Sequence, residues 1–502
     1  MDTVLQNKTI ACYQTVFTST VTTEETGETV VPDKMPDIGM IAHTGASVLL
    51  RSKEAGEGKV TLEGEVQVCV LYLPDGAAGI RALHLKLPCV ANFENETITR
   101  DCLPEGKIRV SSVEARMLNP RKIQVKAEIV AEVVCYEKGQ TVYCVGIEDA
   151  AQSPVHLQVS QGAFSTVAAV GERTFVVTDE YPLPGAADGG EVLWGTAQFR
   201  VEDVKTIANK LILKGTVLSD VLYTAQDGSL ESVHFATSFS QIMETESEDI
   251  STNARLSLMP TGMYYELGAG DGGTKLTMEL HAVCQAAVLG QHEIRYVSDG
   301  FSNRWACEVE HQPMSVIAHS RSSTLRETVR EPLPCRAKVA EVRFALCSAG
   351  RTTVTEEGVS LRTDVTVWVV YENGVEDCVS KRIDLQFPYD GGEKAFPIVE
   401  ETRCTDIYAI AAGNNLELRM TGELDIRMEH TEILETVSSI RLDEERPCES
   451  DRPSITVVRA GGTLWEIARK YGSTEELIRQ INGVEEDSVP AGSVLLVPRE
   501  RF

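Results

Sequence analysis

One kind of segment recurs six times along the chain, and this recurrence limits the possible folds more than any other feature. Each copy alternates apolar and polar residues with a period of two, the pattern of a β-strand with one buried and one hydrated face. The copies begin at Lys59, Lys122, Lys210, Lys275, Gly358 and Asn415. The pattern therefore predicts a mainly β chain built from repeated units.

Short and long spacings alternate between these segments, so the repeating unit is a pair of related strands that occurs three times. Tyr72, Tyr223 and Tyr371 each close the first strand of a pair. An Asx-Gly pair follows each tyrosine, at residues 75–76, 227–228 and 373–374. Such a pair predicts a hairpin turn with positive φ at both central residues.

We therefore expect three tandem antiparallel β-rich repeats, sandwich-like or barrel-like, at residues 1–150, 151–300 and 301–442. A proline-containing segment leads into each repeat, and a short helix can follow each of these segments, for instance at residues 39–51. Residues 443–453 are acidic and contain proline, which is typical of a hydrated linker. Residues 454–502 then form a separate, small module.

The C-terminal module has the pattern of a β-α-α-β unit. Its first helix is expected to start at Thr463, with Glu466 completing a capping box. A second helix is expected to start at Ser473, capped in the same way with Glu476. Apolar runs at residues 455–458 and 494–497 supply the two strands.

This module resembles a LysM domain. The residues that carry the resemblance are Val457, Gly461, Thr463, Leu464, Trp465, Ile467, Ala468, Tyr471, Gly472, Leu477, Asn482, Gly483, Pro490, Gly492, Leu495 and Pro498. The resemblance implies a groove for N-acetylglucosamine polymers between the loops at residues 459–464 and 481–490. LysM domains usually have aspartate where this chain has Gly462, so one carboxylate of the family pattern is missing.

The candidate binding residues, for a partner protein or a glycan, lie in these loops and the adjacent helix. Trp465 has two readings: it packs the helix pair, or it forms a hot spot on a partner surface. Leu464 reads mainly as a core residue. The full set is Gly461, Gly462, Thr463, Leu464, Trp465, Ile481, Asn482, Gly483 and Pro490.

Composition narrows the class of partner and the compartment. The 502 residues carry a net charge of −28, from 75 acidic and 47 basic side chains. A body this acidic repels nucleic acid and anionic lipid, so other proteins are the expected partners. The 13 cysteines show no C-x-x-C pair, which fits a reducing cytosol. We expect neither a secretory signal nor membrane insertion, because no stretch approaches the ~18 apolar residues of a span.

No residue pattern points to catalysis, and we expect no catalytic residue, metal site or cofactor. The nine histidines lie far apart and none has the spacing of a zinc ligand pair. The glycine-rich segment at residues 268–275 precedes a strand rather than a helix. A phosphate-binding loop needs the opposite arrangement, so a turn is the better reading.

The whole chain resembles the SipL-like spore-coat morphogenetic family, in which repeated SPOCS domains precede a C-terminal LysM domain, and whose functional counterpart is SpoVID. The strand-hairpin blocks at residues 59–76, 210–228 and 358–374 carry this resemblance, together with the terminal module. It implies a non-catalytic scaffold in the mother-cell cytoplasm, at the forespore surface. Its LysM domain would recruit the coat-basement ATPase SpoIVA and promote coat encasement.

The resemblance leaves several alternatives open. The β repeats would hold other coat proteins or further copies of the chain, so self-association is a hypothesis. Peptidoglycan binding through the LysM domain is the alternative function. An enzyme with a LysM targeting module is a third reading, for which the sequence offers no catalytic pattern.

Overall fold

The structure is a computed structural model, and it describes residues 2–77, 79–150, 153–183, 185–187, 190–246, 253–270, 273–356, 358–389, 397–412, 414–448 and 455–499. Within these ranges the chain forms 21 strands and two short helices. The predicted mainly β fold is confirmed. The helices lie together near the C-terminus, inside the predicted β-α-α-β module.

The first repeat contains six strands in two sheets. A long strand, β1, begins the repeat, and β6 pairs with it antiparallel from Leu5↔Ile147 to Val30↔Lys122. Between them, β2, β3 and β4 form a separate meander, and β5 pairs with the other edge of β6. The bounds are β1 Leu5–Val30, β2 Ile38–Gly56, β3 Lys59–Pro74, β4 Arg81–Glu94, β5 Leu103–Asn119 and β6 Lys122–Ile147.

The second repeat follows the same order. The long strand β7 pairs with β12, β11 pairs with the other edge of β12, and β8, β9 and β10 form the meander. The bounds are β7 Val155–Pro182, β8 Val192–Ile207, β9 Lys210–Thr224, β10 Leu230–Glu244, β11 Ala254–Gly270 and β12 Gly273–Ser302. Gly270 pairs with Gly273 across the predicted glycine-rich turn, whose residues 271 and 272 lie outside the described ranges.

The third repeat differs in one place, because two shorter strands, β14 and β15, take the position of β2 and β8 beside β16. The long strand β13 pairs with β19, and β18 pairs with the other edge of β19. The bounds are β13 Trp305–Pro334, β14 Val339–Cys347, β15 Arg351–Thr355, β16 Gly358–Tyr371, β17 Glu376–Phe387, β18 Ile398–Ala412 and β19 Asn415–Pro447.

Each repeat has its own apolar core, and the six recurring segments supply equivalent positions to these cores. The second and fourth residues of every segment are at most 1% exposed. Burial of these side chains follows from the period-two pattern, because both residues point to the same face of the strand. The residues are Val60, Leu62, Ile123, Val125, Leu211, Leu213, Leu276, Met278, Val359, Leu361, Leu416 and Leu418.

The three repeats also pack against one another, at several apolar junctions. At one junction Leu71 of the first repeat, Leu222 of the second and Trp368 of the third share a cluster between the three meanders. Ile147 and Ile440 belong to a second junction, formed by strands of all three repeats. A cavity of about 930 Å³ lies between the repeats. The body is therefore one packed assembly, and the predicted boundaries of its three domains stay a prediction.

The predicted hairpin turns are present, but their geometry differs from the expectation. Gly228 and Gly374 have positive φ, 79° and 77°, whereas the preceding Asp227 and Asn373 do not. Asp227 instead accepts a hydrogen bond from the amide of Ser229, at 2.9 Å. The Gly228 amide also donates to the Ala225 carbonyl, at 3.0 Å. These contacts describe a tight turn followed by a left-handed glycine, a common hairpin form that needs positive φ only at the glycine.

Two sequence predictions about local structure are wrong. Residues 39–51 form no helix, because they lie within β2, which pairs with β3 from Ile38↔Pro74 to Gly56↔Lys59. Pairing with a neighbouring strand therefore decides the structure of this segment. The predicted linker begins too early, because β19 continues to Pro447 and pairs with β13 at Ala306↔Asp443 and Trp305↔Pro447. Residues 449–453 of the predicted linker lie outside the described ranges.

Candidate functional site

The terminal module consists of β20 Ile455–Thr463, α1 Leu464–Tyr471, α2 Glu475–Asn482 and β21 Ser488–Pro498. The two strands pair antiparallel from Ile455↔Pro498 to Thr463↔Ser488. Leu464, Ala468 and Ile478 are fully buried between the helices and the strand pair. The order of elements is the predicted β-α-α-β.

The predicted capping box at the start of α1 is confirmed. The Thr463 side chain accepts a hydrogen bond from the amide of Glu466 at 3.2 Å, and the Glu466 carboxylate accepts one from the amide of Thr463 at 3.0 Å. Gly472 ends the helix with φ of 69°, a left-handed cap that favours glycine. Both signals are local, which explains why the sequence reveals them.

The predicted cap of α2 is displaced by one residue. Thr474, not Ser473, caps this helix, because its side chain accepts a hydrogen bond from the amide of Leu477 at 3.2 Å. Ser473 is fully buried beneath the helix pair. Serine and threonine are both favourable N-cap residues, so the sequence does not show which of these two neighbours caps the helix.

The two segments predicted as groove loops lie side by side, but they are partly strand, because residues 459–463 belong to β20 and residues 488–490 begin β21. Gly462 pairs with Val489, and the Leu464 amide donates to the Asp487 carbonyl at 2.8 Å. Gly461 faces Ala491 so closely that an added Cβ would lie 2.4 Å from the Ala491 Cα. Pro490 is exposed near the start of β21. The structure therefore brings both loops of the candidate site together at one exposed rim.

Gly462 has φ of 112°, a conformation that side chains rarely adopt. An added Cβ would also lie 2.6 Å from the Glu466 carboxylate that caps α1. The aspartate usual in LysM domains would therefore be strained here and would meet a second carboxylate. The backbone conformation at residue 462 therefore accounts for the glycine that stands in place of the usual aspartate.

Of the candidates at the end of α2, Asn482 has a structural role. Its amide nitrogen donates to the carbonyls of Ile478 at 2.8 Å and Leu496 at 2.7 Å, and its oxygen accepts from the Leu496 amide at 2.8 Å. These bonds tie α2 to β21. Ile481 is 44% exposed, and Gly483 is the left-handed cap of the helix, with φ of 66°.

Trp465 does not lie at an open surface. It is 6% exposed and packs edge-to-face on Phe301 of the second repeat, with the ring centroids 4.7 Å apart. Its indole nitrogen donates to the Asp299 carboxylate at 2.9 Å. The same carboxylate oxygen accepts a hydrogen bond from Arg469, one turn further along α1, at 2.6 Å.

A second polar contact lies beside this one. Asn303 donates a hydrogen bond from its amide nitrogen to the Ser473 carbonyl at 3.0 Å. We call the contact of Asp299, Phe301 and Asn303 with α1 and Ser473 the clasp. Sequence reasoning missed it, because its two sides are about 170 residues apart and the LysM pattern on one side gives no sign of its contact with the other.

The described side chains of the site either make binding contacts or hold other side chains in place, and none of them forms a cluster typical of catalysis. Within the described ranges, no cluster of three or more His, Cys, Asp or Glu residues is arranged to hold a metal ion. Burial raises the pKa of the Cys307 thiol, beside the clasp, to about 11. Neither described helix is long and apolar enough to cross a membrane.

Comparison with known proteins gave two matches. The LysM domain profile matches residues 456–498, which cover most of the terminal module. The profile described as the SPOCS domain of SipL matches residues 189–266, which contain β8, β9 and β10 of the second repeat. No curated protein and no solved structure matched the chain significantly.

Both domain types are non-catalytic, and they occur here in the order that the sequence resemblance implies. The first repeat shares the strand order of the second, which contains the SPOCS match, and the third differs only in having β14 and β15 in place of one strand. The chain therefore combines a SPOCS domain with a C-terminal LysM domain, and in this combination it is similar to SipL-like, spore-coat-related proteins.

Proposed function

We propose that the chain is a non-catalytic scaffold of spore-coat assembly that recruits the coat-basement ATPase SpoIVA through its LysM domain. By this recruitment it promotes encasement of the forespore by the coat. The observation that carries the proposal is the LysM module, with an exposed loop rim, at the end of a body whose second repeat matches SPOCS.

The body supports a role as scaffold rather than catalyst. Its charged side chains form ion pairs between repeats, such as Lys107 with Glu401 and Arg351 with Glu128, and its apolar side chains fill three cores and several junctions. The charge of the whole chain is −28. A rigid, acidic, all-β body suits the display of a binding module and the exclusion of nucleic acid.

The site of action in this proposal is the mother-cell cytoplasm, at the forespore surface. A fluorescent fusion of the full chain in sporulating cells is expected to encircle the forespore. The same fusion ending at Pro453 is expected to stay diffuse at equal abundance. Encirclement by the truncated chain would show that the repeats, not the LysM domain, carry recruitment.

Peptidoglycan binding through the same module is the second candidate, and the LysM match is the observation that favours it. The glycine at position 462 and the Glu466 carboxylate beside it make the first loop unlike the usual LysM loop. We therefore expect the full chain to stay in solution when purified cell wall is pelleted. Co-pelleting that is lost on truncation after Pro453 would favour the glycan function.

The repeats would bind other coat proteins or further copies of the chain. Scattered apolar side chains on the body are exposed, among them Ile207, Ile410 and Ile433, at 61%, 59% and 68%. Light scattering over a wide concentration range tests self-association. A monomeric mass at the highest concentration would remove that part of the proposal.

A further inference from the structure

The face of the LysM domain that carries Trp465 is covered by the body of its own chain. Asp299, Phe301 and Asn303 lie at the end of β12 and in the turn that follows it, where the second repeat passes into the third. The loop rim around Gly462 and Pro490 remains exposed. Docking on the body thus divides the module into a hidden face and an open one.

The hidden face has the features of a specific contact. One Asp299 oxygen accepts hydrogen bonds from both Trp465, at 2.9 Å, and Arg469, at 2.6 Å, and the Asp299 side chain is only 17% exposed. Hydrogen bonds to a carboxylate are stronger than those between neutral groups, and the bond from Arg469 also joins opposite charges. His311 extends the network, with its Nε2 3.8 Å from the other Asp299 oxygen.

An apolar contact accompanies the polar ones. Phe301 is 5% exposed and belongs to the same buried cluster as Leu464, Ile467 and Ile478 of the module. A side chain of the body therefore completes the core of the LysM domain. Edge-to-face aromatic packing of this kind adds stability beyond the area it buries.

We propose that the clasp is an intramolecular latch that holds the LysM domain on the body and covers its Trp465 face. This inference rests on the proposed function, in which the LysM domain recruits a partner protein. A partner that binds the Trp465 face must first displace Asp299, Phe301 and Asn303. A partner that binds the loop rim meets a module held in a fixed orientation.

The latch is small enough to open. Its charged contact depends on one carboxylate, and the Arg469 side chain is 51% exposed, so salt screens the ion pair. Covering the binding face lowers the apparent affinity for a partner by the fraction of molecules that are open. A latch closed in about nine molecules of ten lowers that affinity about tenfold.

Fluorine NMR of the full chain labelled with fluorotryptophan tests the latch directly. The chain has four tryptophans, and the Trp465→Phe variant assigns the fourth resonance. In the unaltered chain we expect the Trp465 resonance to show almost no shift between H2O and D2O. A full solvent shift would mean that Trp465 is exposed, and would overturn the latch.

The Asp299→Ala variant is expected to give the Trp465 resonance a solvent shift and leave the other three resonances in place. Those three report that the body has folded. Asn303→Ala is a second variant, expected to give a smaller shift, because the bond to the Ser473 carbonyl that it removes joins neutral groups. Glu476→Gln removes a negative charge, as Asp299→Ala does, but from an exposed position on α2 outside the clasp, and it is expected to leave the Trp465 resonance protected. A Trp465 resonance that stays protected in both clasp variants would overturn the latch.

Binding of purified SpoIVA separates the latch from the proposed function. If the Trp465 face recruits SpoIVA, Asp299→Ala raises the affinity about tenfold over the unaltered chain. Unchanged affinity with an exposed Trp465 would show that the clasp does not gate recruitment. Failure of every variant, and of the unaltered chain, to bind would refute the proposed partner, while the NMR result still decides whether the latch exists.

Discussion

Arg255 of the second repeat makes a two-pronged ion pair with Glu429 of the third, with its Nε 2.8 Å from Oε1 and its Nη2 2.6 Å from Oε2. Its remaining nitrogen, Nη1, donates to the hydroxyl of Tyr136 in the first repeat at 3.3 Å. One guanidinium therefore joins all three repeats. Both charged side chains are 13% exposed, so the pair is largely desolvated.

Arg255→Ala is expected to destabilise the body by about 3 kcal/mol, because it leaves a buried carboxylate short of a partner. The loss should be at the low end for a broken buried pair, since Arg427 still contacts Glu429. Arg362→Ala is the matched control. It breaks an exposed pair with Asp384 and should cost at most about 1 kcal/mol. Denaturant unfolding measures the loss of stability in both variants. Equal losses would contradict the role of Arg255 in joining the three repeats.

His43 should make the stability of the body depend on pH. It is buried and lies 3.3 Å from the Thr366 hydroxyl of the third repeat. Burial lowers its pKa from about 6.5 to about 4. A lowered histidine pKa means that the stabilisation is complete above pH 6.5 and is lost as the pH falls towards 4. The loss should amount to about 3 kcal/mol.

The His43→Gln variant tests this dependence, because glutamine keeps a hydrogen-bonding group but does not titrate in this range. Carboxylates titrate in both proteins, so the difference between the two stability profiles isolates the histidine. We expect the variant to lose less stability between pH 6.5 and pH 5. Parallel profiles would contradict the role of His43.

The two neighbouring hydroxyl residues before α2 should behave differently. Thr474→Ala removes the observed cap and should weaken α2 by about 1 kcal/mol. Ser473→Ala should weaken it less, because the Ser473 hydroxyl has only a 3.5 Å contact with the Thr474 carbonyl. Hydrogen exchange of the α2 amides in the full chain measures both. Faster exchange in the Ser473 variant than in the Thr474 variant would support Ser473 as the cap of α2, as the sequence predicts.

Neighbouring residues at the end of α2 should separate folding from binding. Asn482→Ala removes three hydrogen bonds and should destabilise the module by about 2–3 kcal/mol. Ile481→Ala removes an exposed side chain and should change stability by no more than about 0.5 kcal/mol. If the loop rim binds the partner, the Ile481 variant loses affinity while its unfolding is unchanged. Unchanged affinity would remove Ile481 from the candidate site.

The sequence predicts most of what is local in this fold. The alternating segments locate the strands, and their second and fourth residues are the buried ones, as Val60 and Leu62 show. The capping box of Thr463 and Glu466 is readable because its two members are three residues apart. The Asx-Gly pairs predict the positions of the turns correctly, but the positive φ predicted for the residue before each glycine is wrong.

Contacts between segments that are far apart in the sequence could not be predicted from local patterns. The strand at residues 39–51 forms because β3 pairs with it, and β19 extends past Asp443 because β13 lies beside it. The clasp joins Asp299 to Trp465, and nothing in either neighbourhood specifies the other. One of the two interpretations of Trp465 placed it in the packing of the helix pair. The side chain is buried, but part of the surface that buries it belongs to the body.

The measurement that tests the central claim most directly is calorimetric titration of purified SpoIVA with the full chain and with the chain ending at Pro453. We predict saturable binding by the full chain and none by the truncated chain, with the folding of the truncated body confirmed by circular dichroism. Equal binding by both chains would place recruitment on the β repeats and contradict the role assigned to the LysM domain.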